Sequence, residues 1–508
     1  MAERWWWELK EPITDVQAGV RYDLKVKREA IPIIFLPGIM GSRLKQAKSK
    51  KVVWDPDRWG GLWMLKTYGM FWQRGGKKKE KLVGNTYKDT FLEVSHDDED
   101  YNERLPARAP DQKEGPIERR WGGVMWSTYG AVLRRLASEQ TWRAVLPLGL
   151  FFDFPVYAHG YNWTADVEFA AKELADRIKE VIAKHADQKC RQVILVTHSM
   201  GGLVARRACG LEGVADKVLG VVHGVQPVHG SGAGYWRMKG GFERSGLAST
   251  MSAWVLGTDG KEVTQTLAEM PGGLALLPNK LYGSDWLEVV DLASGRRVRM
   301  PASDPYQEIY REKERYWRLV NPDYLIGAKS EGSKNAGRAS KLPPAASWDI
   351  YLRNLDLARD VHDQLASNLQ HPETHFFSGV GLHSAGRIRF EAEEFTDWGN
   401  GEAPPPYPGQ TFDRDGFTTY LEQGRTLYSV SMERPADDGD GTVPRTSAEA
   451  LKQQGESHAF DVPGQGGEPE YAFKGMEHQP AYGEEAALQF TVNAVRRLCL
   501  LRMKEGGP

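Results

Sequence analysis

The chain has 508 residues, 41% hydrophobic and 26% charged, with a formal net charge of −2. That length allows a large core or two to three average domains, and the near-neutral balance excludes the basic excess of a nucleic-acid binder. Three cysteines, Cys190, Cys209 and Cys499, are odd in number and hold no metal-ligand spacing, so free thiols made in a reducing cytoplasm are expected, with no cofactor and no metal.

The segment MAERWWWELK at the N-terminus has no apolar core and no small-residue cleavage site, so no secretory signal is expected. No apolar run reaches the length of a membrane span. The nearest, residues 144–158, is broken by Pro147, Gly149, Asp153 and Pro155, so membrane contact, if made, is expected to be peripheral. The run Lys77-Lys-Lys-Glu-Lys81 reads as a solvated loop. Eight of the seventeen tryptophans lie between Trp54 and Trp163, mostly outside the expected sheet. Indole suits a lipid interface as well as a core, which nudges the reading towards lipid, Trp59 and Trp63 included.

Short apolar runs bounded by turn residues fall at 31–36, 154–158, 192–196, 218–222, 375–380 and 427–431. With helical stretches between them they predict an α/β protein with a mainly parallel sheet. Residues 166–184 read as the best helix: Phe169, Ala170, Leu174, Ile178, Val181 and Ile182 recur at mostly three- and four-residue steps. A closing helix is expected to bury Ala487, Leu488, Val492, Val495, Leu498 and Leu501. Two stretches, 46–150 and 225–370, interrupt the alternation and read as cap insertions on a single domain spanning 1–508. Its core is then 28–45, 151–224 and 371–505. Residues 327–341 and 399–409 read as flexible loops.

The run Val193-Ile-Leu-Val196 leads into Thr197-His-Ser-Met-Gly-Gly202 and then Leu203-Val-Ala-Arg-Arg-Ala-Cys209. Strand, Ser-x-Gly turn and helix together read as a nucleophile elbow that lifts Ser199 from a strand end. The first glycine of G-x-S-x-G is Thr197, whose β-branch fits a strand end. Gly201 and Gly202 remain on the crowded helix side. His198 reads as structural, because the neighbour of a strand residue points to the opposite face.

A serine nucleophile needs a base, and an acid to orient it. The turn Asp437-Asp-Gly-Asp-Gly-Thr-Val443 follows a predicted strand, and Asp440 has glycine on both sides. Only His458 and His478 follow that turn. His458 precedes the apolar run 459–462, at the wrong end of a sheet, whereas His478 lies in a loop before the last helix. The acid is therefore Asp440, with Asp437 and Asp438 as substitutes, and the base is His478. The oxyanion hole needs two backbone amides. Met200, after the nucleophile, supplies one. The other is Ile39, or Met40 as its alternative, in the turn Leu36-Pro-Gly-Ile-Met-Gly-Ser42. A calcium loop from Asp438 would place Asp440 third and Glu449 twelfth, but Val443 takes the glycine position.

The order Ser, Asp, His along the chain is that of the α/β-hydrolase fold. The expected architecture is thus a mainly parallel central sheet with helices on both faces and large cap or lid insertions. Pro37-Gly-Ile-Met-Gly-Ser42, His198-Ser-Met-Gly-Gly-Leu203, Gly439-Asp-Gly-Thr-Val-Pro444 and Gly475-Met-Glu-His478 resemble the lecithin:cholesterol acyltransferase-like lipases. Tyr161-Asn-Trp163 is similar to that group's Tyr-Asp-Trp-Arg segment but has Asn for Asp and lacks the Arg. The resemblance implies acyl transfer on a phospholipid or other long-chain ester, either to water or to an alcohol. An amidase or peptidase, and an inactive binding or delivery protein of the same fold, are the rival readings. The segment His223-Gly-Val-Gln-Pro-Val-His-Gly-Ser-Gly-Ala-Gly-Tyr-Trp-Arg-Met238 resembles bacterial lipase effectors of the type VI secretion system. That likeness implies export without a signal, a secretion apparatus and an immunity protein as partners.

Overall fold

The computed structural model describes residues 28–57, 91–96, 99–108, 114–143, 148–241, 260–325, 344–367, 370–394, 411–413, 417–423, 426–454 and 471–504. Lys77–Lys81, Trp59, Trp63, His458, the run 459–462 and the loops 327–341 and 399–409 lie outside them.

Six strands form the central sheet: β1 (Ile33–Leu36), β2 (Val156–Ala158), β3 (Val193–His198), β4 (Val218–Gly224), β5 (Thr374–Val380) and β6 (Ala472–Lys474). Their order is β6-β5-β4-β3-β1-β2, and every pairing is parallel. Residues 33–36 and 193–196 are fully buried, because a parallel sheet of this kind is covered on both faces and its strands read as continuous apolar runs. Alternation divides them. Ile34, Leu36, Val193 and Leu195 join one core cluster, Ile33, Phe35, Ile194 and Val196 the other.

Helices α1 (Trp126–Ala137), α2 (Val167–Lys184), α3 (Met200–Cys209), α4 (Pro344–Ala366) and α5 (Glu485–Lys504) cover these faces. Helix α2 begins where the Asp166 carboxylate accepts the Glu168 amide at 3.2 Å, satisfying one of the unpaired first-turn donors. It buries Ala170, Leu174, Ile178 and Val181 with α3 and α4 residues in the first cluster. Phe169 departs from expectation: it is 38% exposed and meets Phe91 edge-on, at 5.5 Å between ring centroids. Helices α1 and α5 fill the second cluster through Val132, Leu133, Leu136, Phe490, Val495 and Leu498. Helix α1 falls within the stretch read as the first insertion, yet it packs on the sheet.

The predicted strand at 427–431 is real but sits elsewhere. Thr426–Glu433 belongs to a second six-stranded sheet with Arg296–Met300, Leu287–Asp291, Ile388–Glu394, Thr418–Gln423 and Thr411–Asp413. Val430, Met432, Ile388, Phe390 and Leu287 turn inward there, so the alternation reflects one buried face rather than two. The tryptophans also correct the sequence reading. Trp54, Trp121, Trp142 and Trp163 are at most 5% exposed, so these four fill core space rather than meet lipid. Cys190, Cys209 and Cys499 are free and buried. No described helix is long and apolar enough to cross a membrane.

Candidate active site

In an open parallel sheet, ligands gather where strand order reverses, beyond the carboxyl ends of the strands. The chain starts at β1, steps outward to β2 and returns to β3 on the other side of β1, so the loops after β1 and β3 flank that point. Ser199 stands between β3 and α3 with φ 52° and ψ −123°, a strained conformation for a residue with a side chain, costing about 1–3 kcal/mol. The turn is held by the Ser199 amide donating to the Gly224 carbonyl at 2.9 Å and the Gly202 amide donating to the Ser199 carbonyl at 2.9 Å.

Close packing explains which glycines remain. A Cβ on Gly201 would lie 2.5 Å from the Pro37 carbonyl oxygen, and one on Gly202 would lie 2.6 Å from the Gln226 side chain. Thr197 meets no such wall. It is fully buried, its hydroxyl bonds to His223 Nδ1 at 2.8 Å, and its carbonyl accepts from the Tyr482 hydroxyl at 3.0 Å. Burial pushes His223 down to about 3, with the nearby Arg206 charge adding to the effect. A neutral ring is thus available as Thr197's partner.

His478 Nε2 lies 2.8 Å from Ser199 Oγ, and His478 Nδ1 lies 2.7 Å from Asp440 Oδ2. The other Asp440 oxygen accepts the Thr442 and Val443 amides at 2.9 and 2.7 Å, and the His478 amide donates to the Asp440 carbonyl at 3.0 Å. All three side chains are nearly sealed: Ser199 is 3%, Asp440 2% and His478 8% exposed. The acid reaches this place by an indirect route. After the second sheet, Asp437–Gly439 pairs antiparallel with Leu382–Ser384, the short strand that follows β5. That ladder returns the loop to the end of β5, where Gly379 leaves room for it: a Cβ there would come within 2.7 Å of Asp440 Cβ.

The substitutes for the acid are engaged elsewhere. Asp437 pairs with Arg387 at 2.9 Å, and Asp438 accepts the Gly381 amide at 2.5 Å. The two carboxylates that a calcium loop would converge, Asp438 and Asp440, thus turn to different partners. His198 is engaged elsewhere as well: its two ring nitrogens face the Tyr129 hydroxyl and the His478 carbonyl.

The loop after β1 forms a turn closed by the Gly41 amide on the Gly38 carbonyl at 3.0 Å, with Met40 at φ 63°. Ile39 and Met40 are its central residues, so either amide is placed at the turn beside the elbow. A Cβ on Gly38 would stand 2.8 Å from His198 Nδ1 and 3.0 Å from Ser199 Cβ. Only glycine permits this approach. Met200, the first residue of α3, has no helical carbonyl partner for its amide, and the helix start adds positive potential where an oxyanion would form. The Tyr161-Asn-Trp163 segment buttresses the same loop. The Tyr161 hydroxyl donates to the Pro37 carbonyl at 3.0 Å and the Trp163 indole to the Ser42 carbonyl at 3.3 Å, while Asn162 turns away to the Leu92 carbonyl at 2.9 Å. Sequence reasoning missed Tyr129, His223 and Tyr482, whose roles arise only when segments distant in sequence meet. No local signal marks them.

The sheet, the elbow and its partners define an α/β-hydrolase. A family model described as "Alpha/beta hydrolase family" matches residues 121–386, just over half of the chain, and the chain belongs to that family. The matched span includes Ser199 and ends before Asp440 and His478. The structure is similar to a chain in the crystal structure of the Tle4–Tli4 complex. The two share 26% identity and a TM-score of 0.70, over 93% of this chain and 99% of that one. Phospholipase PlaB from Legionella pneumophila matches at 14% identity over 60% of this chain and 78% of that one; its TM-score of 0.19 carries no argument. No curated protein matches the sequence. The likeness to the lecithin:cholesterol acyltransferase-like lipases rests on the four sequence motifs alone.

Proposed function

We propose that the protein is a serine-dependent lipid ester hydrolase, of the lipase or phospholipase A kind, working through an acyl-enzyme. One observation carries the reading: the continuous line from Asp440 Oδ2 to His478 Nδ1 and from His478 Nε2 to Ser199 Oγ, with 2.7 and 2.8 Å links. His478 takes the proton from Ser199 as Oγ attacks the ester carbonyl carbon. The oxyanion that forms is held by the Met200 amide and by that of Ile39. His478 then gives its proton to the departing alcohol oxygen, and the acyl group stays on Ser199. Water attacks this ester with His478 again as base, and the carboxylic acid leaves with Ser199 restored. Asp440 orients His478 and stabilises the imidazolium without taking the proton.

A long-chain lipid substrate is supported by the four motif segments, and a role as an exported effector by the likeness to a chain of the Tle4–Tli4 complex. Because that neighbour was solved with a second protein, a dedicated immunity protein is part of the proposal. Phospholipid vesicles exposed to wild type and to Ser199→Ala test it. Wild type should release fatty acid and Ser199→Ala should not, while Asp440→Asn should lose on the order of 10⁴-fold in kcat. Adding a long-chain alcohol separates hydrolysis from transacylation, since a transacylase would form the new ester in place of the free acid. Undiminished release by Ser199→Ala would end the serine reading.

A further inference from the structure

We infer that Tyr129 and His198 are positioning residues that tie the oxyanion turn to the loop carrying the catalytic base, through a single directed line of hydrogen bonds. The inference rests on the proposed catalytic roles of Ser199, His478 and Asp440. The Gly38 amide donates to the Tyr129 hydroxyl at 3.1 Å, that hydroxyl lies 3.0 Å from His198 Nδ1, and His198 Nε2 lies 3.0 Å from the His478 carbonyl. Direction follows from what each group is able to do. A carbonyl only accepts, so His198 Nε2 carries the hydrogen. A neutral ring then accepts at Nδ1, so the Tyr129 hydroxyl donates there and takes the Gly38 amide on its lone pair.

Both side chains are 1% exposed, and water does not compete for these bonds. Burial pushes His198 down to about 3, aided by the neighbouring His478, and burial raises Tyr129 well above its ordinary range. The ring and the phenol therefore hold one protonation state throughout neutral pH. Ring packing fixes the geometry: His198 meets Tyr129, His478 and Tyr482 at centroid distances of 5.5, 5.4 and 5.9 Å. The line starts in the turn after β1 and ends on the main chain of the base, segments 440 residues apart in sequence. Its middle member is the residue next to the nucleophile. Such a link holds the amide donors and the imidazole at fixed spacing about one reacting carbon, where errors near 1 Å cost about 100-fold in rate.

The two halves of the link are separable. Tyr129→Phe keeps the ring and removes both bonds of the hydroxyl. His198→Gln places an amide where Nε2 stood and keeps the donor to the His478 carbonyl, but it offers Tyr129 no acceptor. His198→Asn does the reverse. The assay is kcat and KM on a short soluble ester, with inhibition by a trifluoromethyl ketone, an analogue of the tetrahedral oxyanion, and thermal unfolding as the control for folding. Tyr129→Phe and His198→Gln should each lower kcat about 10- to 100-fold, with KM little changed and the analogue bound more weakly in parallel. The double variant should be no worse than either alone, since both cut the same bond. Multiplied losses in the double variant, kcat within twofold of wild type in both single variants, or unweakened analogue binding would overturn the inference. Ser199→Ala separates the two readings. If it is inactive while Tyr129→Phe and His198→Gln are normal, only the positioning line falls; if it is fully active, both fall.

Discussion

Acid should destabilise this protein as soon as pH falls below the ordinary histidine range, because several histidines are buried in the neutral form. Burial pushes His159, His198 and His223 down to about 3 and His362 to about 4. The charges of Arg177 and Arg120 add to the effect at His159, and that of Arg206 at His223 and His362. In the unfolded chain each titrates near 6.5. The folded state therefore binds fewer protons below that pH. Its stability is fully present above about 6.5 and is lost as pH falls towards 3 to 4. Between pH 6.5 and 5 each histidine should remove on the order of 1–2 kcal/mol, and the four together several kcal/mol. That loss is comparable to the whole stability of an ordinary domain, about 5–15 kcal/mol.

His159 isolates one contribution without touching the proposed catalytic groups. It is 6% exposed, and its Nε2 has no hydrogen-bond partner among the described residues. In urea unfolding at a series of pH values, the stability difference between wild type and His159→Gln should shift by on the order of 1–2 kcal/mol in favour of the variant from pH 6.5 to 5. Acid alone should bring wild type to its unfolding midpoint between about pH 4 and 5. A wild-type urea midpoint unchanged at pH 4, or a stability difference independent of pH, would refute the reasoning.

Gly38→Ala should lower kcat on soluble and vesicle substrates alike by about 100-fold, with thermal stability reduced less than activity. Its Cβ would stand 2.8 Å from His198 Nδ1 and 3.0 Å from Ser199 Cβ, so the turn must retreat from the elbow. Normal kinetics in a folded Gly38→Ala would remove that turn from the site. Thr197→Val should destabilise by about 1–3 kcal/mol in urea unfolding, since the buried His223 Nδ1 loses its hydroxyl partner, while kcat at saturating ester stays near wild type. A large loss of kcat with little loss of stability would mean that Thr197 takes part in the chemistry.

The elbow was legible because its determinants are local: an apolar strand, a Ser-x-Gly turn and a helix follow one another within 17 residues. Asp440 and His478, the proposed acid and base, were picked by chain order, because the fold fixes which loops reach the carboxyl edge. The strand before the acid was placed in the wrong sheet for a physical reason. A period-two run in Thr426–Glu433 reports one buried face but not which partner covers it, and its neighbour Ile388–Glu394 lies more than 30 residues away. Strand β6 has only three residues, too few for any period to register. Phe169 was assigned to the core because apolar spacing marks a helix face without marking where that face ends.

Thr197 shows where local reading stops. Its tolerance at a strand end follows from backbone preference, which the sequence carries. That its hydroxyl costs nothing when buried depends on His223, one strand over in β4 and held neutral by burial and Arg206. A buried hydroxyl without such a partner costs about 1–3 kcal/mol, enough to make glycine the better residue at that position. The departure from G-x-S-x-G is therefore one half of a pair. It is explained by the register of β3 on β4, which aligns Thr197 with His223, and a valine in place of His223 would restore the advantage of glycine at 197.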